Sequence, residues 1–248
     1  MNILVCISHV PDTTSKINFT DNNTAFDSNG IQFVINPYDE FGLTKALMLK
    51  EANGGTVTVL NVGPASTEPT IRKALAIGAD NAIRVNAEAT DAYFVASQIA
   101  KVVKENNYDL VICGQESIDY NGGQVAGMVA ALCEMPFVNV CIGLDVDGSN
   151  ATVLREIDGG KEELKASLPM VVGGKKGLVE EKDLRIPNMR GIMMARQKPL
   201  QVVEPADAEQ RTAAVSYEKP AAKAAVKMID KDNVEELVQL LHTEAKAI

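Results

Sequence analysis

Residues 109–131 read DLVICGQESIDYNGGQVAGMVAA. Leu110–Cys113 is a short, continuous apolar run, the pattern of a strand buried on both faces. From about Gln124 to Cys133 the apolar spacing becomes helical. The polar, glycine-rich turn between them has two readings. Gly122 and Gly123 permit a phosphate to approach the backbone, where unpaired amides and the positive end of a helix dipole would hold it, with the Gln124 amide as a further donor. The plainer reading is a tight strand-to-helix turn. No Lys-Ser/Thr follows the glycines, so this is not a P-loop, and it is not GxGxxG.

The same unit recurs along the chain. Ile3–Ile7 is an apolar run, Thr56–Leu60 and Asn81–Val85 read as further strands, and helical patterns alternate with them. A helix starts at Asn36-Pro37-Tyr38-Asp39, with Pro37 at its first position and Phe41, Leu43, Ala46, Leu47 and Leu49 on one face. Thr67–Ile77 is a second helix ended by Gly78, and Ala92–Glu105 a third. Ile31–Ile35 reads as a further short strand. This alternation predicts an α/β fold: a doubly wound, mostly parallel sheet of the adenine-nucleotide-binding type.

After Pro136 the pattern changes. Val138–Val146, Ala151–Ile157 and Glu163–Leu168 alternate around turns, as a small antiparallel hairpin region does. Residues 175–199 are charged and irregular. Residues 205–225 are rich in Ala, Pro and Lys and read as an extended arm, and Asp232–Ala247 as an amphipathic helix. The expected division is an α/β domain over 1–200 and an arm ending in a helix over 201–248.

A formal net charge of −9 over 248 residues, with no tryptophan, argues against a nucleic-acid or anionic-membrane surface. No stretch approaches the ~18 apolar residues of a membrane span. The N-terminus lacks a basic region ahead of its apolar run, so no signal peptide is expected. Cys6, Cys113, Cys133 and Cys141 stand singly, as reduced thiols of a cytoplasmic protein do. With only His9 and His242, a multi-histidine metal site is excluded and no catalytic triad is suggested.

Three further motifs carry chemistry. In a doubly wound sheet, helix starts gather at the carboxyl edge of the strands, so the end of the Cys6 strand, Asn36–Asp39, Val62-Gly63-Pro64 and the 119–127 loop would line one crevice. Arg155-Glu-Ile-Asp-Gly-Gly160 reads as a solvated charge cluster. The segment holding Met189, Arg190, Ile192, Met193, Met194 and Arg196 suits either interior filling or an adaptable binding surface.

LVCISHVPD, NPYDEFGL, IRKALAIGADNAIRV, the 119–131 loop, and REIDGGKEELKASLPMVV followed by NMRGIMMAR together resemble the electron transfer flavoprotein beta subunits, nearly end to end and in the family's order. The resemblance implies a heterodimer with a larger alpha subunit that carries most of the FAD site, an AMP held in the beta subunit, and docking to flavin-dependent dehydrogenases and to a quinone oxidoreductase or other acceptor. It implies an electron carrier without catalytic residues of its own. Carried onto this chain, the AMP pocket comprises Cys6, Asn36, Pro37, Tyr38, Asp39, Val62, Tyr120, Asn121, Gly122, Gly123, Gln124, Val125, Ala126, Gly127, Met128, Val129, Ala130 and Ala131. The family's recognition loop falls on 180–198 with its anchor at Met189, flanked by Arg190, Ile192, Met193, Met194 and Arg196. The arm and final helix would pack on the alpha subunit.

The chain departs from the family in its loop, where Val125 and Ala126 follow Gln124. Electron-bifurcating members hold a second FAD here and carry Asp-Gly-Asp-Thr; this chain has Asp119-Tyr-Asn-Gly122, which favours AMP. A tyrosine near the flavin in some members aligns with Thr13. An adenine-nucleotide hydrolase or a nucleotide sensor of similar layout is the competing class; the pyrophosphate-binding loops of such hydrolases are absent from the sequence.

Overall fold

A computed structural model describes residues 1–223 and 225–248. The chain begins with strand β1 (Asn2–Cys6), then the short strands β2 (His9–Pro11), β3 (Phe19–Thr20), β4 (Ala25–Phe26) and β5 (Phe33–Ile35). Helix α1 (Pro37–Asn53), β6 (Thr56–Val62), α2 (Glu68–Ile77), β7 (Asn81–Val85), α3 (Ala92–Glu105), β8 (Leu110–Gly114) and α4 (Val125–Cys133) follow in strict alternation. Then come β9 (Phe137–Asp147), β10 (Asn150–Ile157), β11 (Gly160–Ser167), β12 (Met170–Gly174), α5 (Met189–Ala195), β13 (Leu200–Val203) and α6 (Val234–Thr243).

Nine strands form one sheet in the order β11-β10-β9-β12-β8-β1-β6-β7-β13; β9, β12, β8, β1, β6, β7 and β13 are mutually parallel, and β10 is antiparallel to both its neighbours, β9 and β11. Alternate residues of each central strand divide between two cores. Ile3, Val5, Val57, Val59, Leu110 and Ile112 pack with Leu43, Leu47, Ile71 and Leu75 of α1 and α2. Leu4, Cys6, Leu60, Val62, Val111 and Cys113 pack with Ala96, Ile99, Val103, Ala126 and Val129 of α3 and α4. Burial on both faces is why these strands read as continuous apolar runs.

β6 and β7 are added on one side of β1, and β8 then returns to pair with the other edge of β1. The order therefore reverses between β1 and β8, and a crevice opens at their carboxyl ends.

The short strands β2, β3 and β4 were not expected, and four further elements differ from the sequence reading. β5 pairs antiparallel with β2 in a separate two-stranded sheet. Met170–Gly174 is a central strand between β8 and β9. Its glycine pair interrupts the apolar run, yet any side chain at Gly173 would strike Asn139. Leu200–Val203 is an edge strand beside β7, so the sheet extends into the expected arm. Residues 189–195 form a helix, capped by Asn188 Oδ1 accepting from Gly191 N at 2.7 Å. Gly191 lets that helix approach the Ala76 carbonyl of α2. Arg155 pairs with Glu162 at 2.5 Å across β10 and β11, a charge cluster at the surface.

Candidate functional site: the switch-point crevice

The crevice has a volume of about 590 Å³. Cys6 and Ser8 supply one wall, Asn61 and Val62 a second, Cys113 to Ser117 a third, and Val125 and Ala126 of α4 a fourth. Asp39 organises its floor. Its Oδ2 accepts from Ser8 N at 2.7 Å and its Oδ1 from Gly114 N at 2.8 Å, so one side chain joins the chain ends leaving β1 and β8. Asn36 Nδ2 donates to Asp39 Oδ1 at 3.1 Å and to the Glu116 carbonyl at 2.9 Å, and Asn36 Oδ1 accepts from Ile118 N at 3.3 Å. The pair thus fixes the start of the 115–122 loop from beneath. Gly114 is required here, because a Cβ would overlap the Asp39 carboxylate. Burial pushes the Asp39 carboxyl up to about 7, against the downward pull of hydrogen bonds from Ser8, Asn36 and Gly114.

The glycine-rich turn folds back on itself. Ser117 and Gly122 exchange two backbone hydrogen bonds of 3.3 Å, and Asn121 takes a positive φ of 49° at the tip. The Gly122 amide is thereby spent on Ser117. α4 starts three residues later with no side-chain cap, so its first-turn amides lack intrahelical partners and carry the positive dipole end. The lining contains no lysine or arginine, but does contain Asp39, Asp91, Glu116 and Asp119.

Of the residues expected in the pocket, Cys6, Asp39, Val62, Tyr120, Gly122, Val125 and Ala126 line the crevice. Asn36 is fully buried behind it, and Pro37 and Tyr38 begin α1 outside the lining. Asn121, Gly123 and Gln124 are exposed and do not line it. Gly127 packs on Phe137, while Met128, Val129 and Ala130 turn towards the α3/α4 core, and Ala131 faces solvent. The sequence reading missed Ser8, Asn61, Gly114, Gln115 and Asp91, and also Thr212 and Tyr217 from the arm. Ser8 lies two residues past the end of β1 and Gly114 ends β8, and those positions were the available signal. Nothing local marks Thr212 or Tyr217.

A wider groove, about 1040 Å³, adjoins the crevice and shares Tyr120 and Tyr217 with it. It is walled by Phe19, Phe26 and Phe33, and includes Thr13. His9 stacks on Phe33 at 4.3 Å, and its Nδ1 lies 2.8 Å from Thr70 Oγ1. On the far side of α2, Met189, Ile192, Met193 and Met194 are exposed on α5, beside exposed Arg190 and Arg196.

Among the described residues no cluster of potential metal ligands occurs, and no helix is long and apolar enough to cross a membrane. All four cysteines are free.

Sheet order, switch point and bare helix start define a doubly wound α/β protein of the kind that binds ligands at its strand carboxyl edge. A family model for the electron transfer flavoprotein domain matches residues 24–208. The chain is 34% identical to the electron transfer flavoprotein subunit beta of Bacillus subtilis, with all of both chains covered. It is 35% identical to that of Bradyrhizobium diazoefficiens over 99% of each chain, and 33% identical to the human one over 84% of this chain and 82% of the relative. The chain belongs to the electron transfer flavoprotein family, among its beta subunits. Members of this family are electron-carrying flavoproteins.

Proposed function

We propose that this chain pairs with an alpha subunit, holds one AMP in the switch-point crevice, and docks flavin-dependent dehydrogenases so that electrons cross the FAD of the assembly to a quinone oxidoreductase or other acceptor in the cytoplasm. The observation that carries the nucleotide part is the uncapped start of α4 facing a crevice at the strand-order reversal. Backbone amides there suit a phosphate, and the apolar walls of Leu60, Val62, Val95 and Ile99 suit a base. Four acidic residues and no lysine or arginine in the lining disfavour a polyphosphate and leave phosphoryl transfer without charge stabilisation. This supports AMP over ATP and a carrier over a hydrolase. A second FAD would have to pass Tyr120 and Tyr217 into the neighbouring groove.

Val125→Asp tests the placement. A carboxylate in the first turn favours the helix dipole and so leaves α4 intact, but it occupies the place of the phosphate. AMP affinity, read by calorimetry, should fall at least tenfold relative to Val125→Asn, which loses the same packing on the α3/α4 core without adding the charge. Unchanged affinity would move the phosphate elsewhere.

The partner half rests on α6. Val234, Leu237 and Val238 lie exposed along one face of a helix that contributes nothing to either core. Removing residues 226–248 should leave the α/β domain folded and abolish co-purification with the alpha subunit. A truncated chain that still forms the heterodimer would contradict this assignment.

A further inference from the structure

Residues 206–219 cross the mouth of the crevice as an extended strap held at both ends. On one side Gln98, buried in α3, makes a reciprocal amide pair with Ala206: Nε2 donates to its carbonyl at 3.1 Å, and Oε1 accepts its N–H at 2.6 Å. Asp91 sits beside it. Its Oδ1 accepts from Phe94 N at 2.7 Å and caps α3, while its Oδ2 accepts from Arg211 N at 2.6 Å, Thr212 N at 2.7 Å and Thr212 Oγ1 at 3.3 Å. The Arg211 guanidinium lies 3.6 Å over the Tyr93 ring. On the other side Tyr217 stacks on Phe19 at 4.8 Å, and its amide donates to the Asn23 carbonyl at 2.7 Å. Between these anchors Thr212, Ala213, Ala214 and Tyr217 form the outer wall of the crevice.

We propose that Asp91 is a positioning residue of the nucleotide site: its carboxylate latches the strap to the start of α3, so the bound nucleotide leaves only when that latch opens. The proposal rests on the nucleotide reading above. It assigns the two oxygens of Asp91 different duties, one to the helix and one to the strap. It also divides the C-terminal region, with residues 206–219 serving this chain's own crevice and α6 left for the partner.

Asp91→Asn separates the two duties. Asparagine caps a helix about as well as aspartate, but its amide nitrogen would face the Arg211 and Thr212 amides, donor against donor. In the purified heterodimer, AMP release measured by exchange against labelled AMP should quicken about tenfold or more, the scale of losing a charge-assisted hydrogen-bond pair. Amide hydrogen exchange at 211–212 should quicken with it, while exchange within α3 and the melting temperature stay at wild-type values. Tyr217→Ala, which frees the opposite anchor, should act in the same direction. AMP release unmoved in both variants while exchange at 211–212 rises overturns the latch alone, and so does a strap whose exchange ignores the Asp91 change. A wild-type heterodimer that carries no AMP overturns the nucleotide reading and the latch with it.

Discussion

Asp39→Ala is expected to loosen the crevice floor more than any other single change. The Ser8 amide, the Gly114 amide and one Asn36 proton lose their acceptor together. Buried donors without partners cost ~1–3 kcal/mol each, so a loss of about 3 kcal/mol at pH 7 is the expected order, with nucleotide affinity falling as the chain ends leaving β1 and β8 come apart. Asp39→Asn keeps the volume but sets an amide N–H against a backbone N–H, and should fall between wild type and alanine. The carboxyl also predicts a pH signature. Its folded pKa of about 7 stands above the ordinary 3.8. Between those values the folded chain holds a proton that the unfolded chain has released. Stability from this group is therefore full below about pH 4 and falls as pH rises towards 7, by an amount on the order of 4 kcal/mol. Denaturant unfolding across pH 4–8 checks both parts: the loss of stability with rising pH should be clearly smaller in Asp39→Asn, and an unchanged slope would remove Asp39 as its source.

Met189→Ala is expected to cut the rate at which a dehydrogenase reduces the complex by about tenfold, the effect of losing one apolar anchor at an interface. Met189 is 77% exposed, followed on α5 by Met193 at 68%. That exposure removes the interior-filling reading of the methionine cluster, since a core methionine would be covered. Truncating an exposed side chain changes stability by only about 0.5 kcal/mol, against ~2–5 kcal/mol for a buried one. Flexible thioethers adapt to pockets of different shape, and Arg190 and Arg196 would raise the encounter rate with an acidic rim more than the affinity. Stopped-flow reduction should show the loss at wild-type melting temperature and AMP content. A lower melting temperature with docking kinetics intact would return Met189 to a structural role.

Much of the fold was legible because local pattern and tertiary setting agree. Asn81–Val85 and Ala92–Glu105 were read to the residue, since a short strand pattern and an amphipathic helical stretch each carry their own signal. β12 was not legible, because Gly173 and Gly174 look like a turn until β8 and β9 are in place on either side. β13 is four residues long and exists through its pairing with β7. α5 hides behind Gly191, whose purpose is a close approach to α2.

The candidate site divides in the same way. The carboxyl ends of β1, β6 and β8 follow from topology, and Cys6, Val62 and the start of α4 were found by it. The order of residues within the 119–131 stretch was not. Its turn closes on itself through Ser117 and Gly122, which carries Gly123 and Gln124 to the outside and leaves Val125 and Ala126 facing the crevice. The strap lies about a hundred residues further along the chain than the loop it covers, and Thr212 and Tyr217 carry no local mark of that contact.

The most direct test is a count of nucleotides. The chain is co-expressed with its alpha subunit, the complex is purified and denatured, and the released nucleotides are separated and quantified. One AMP and one FAD per heterodimer is the expected result. Two FAD and no AMP, or FAD alone, would contradict an AMP-holding carrier subunit.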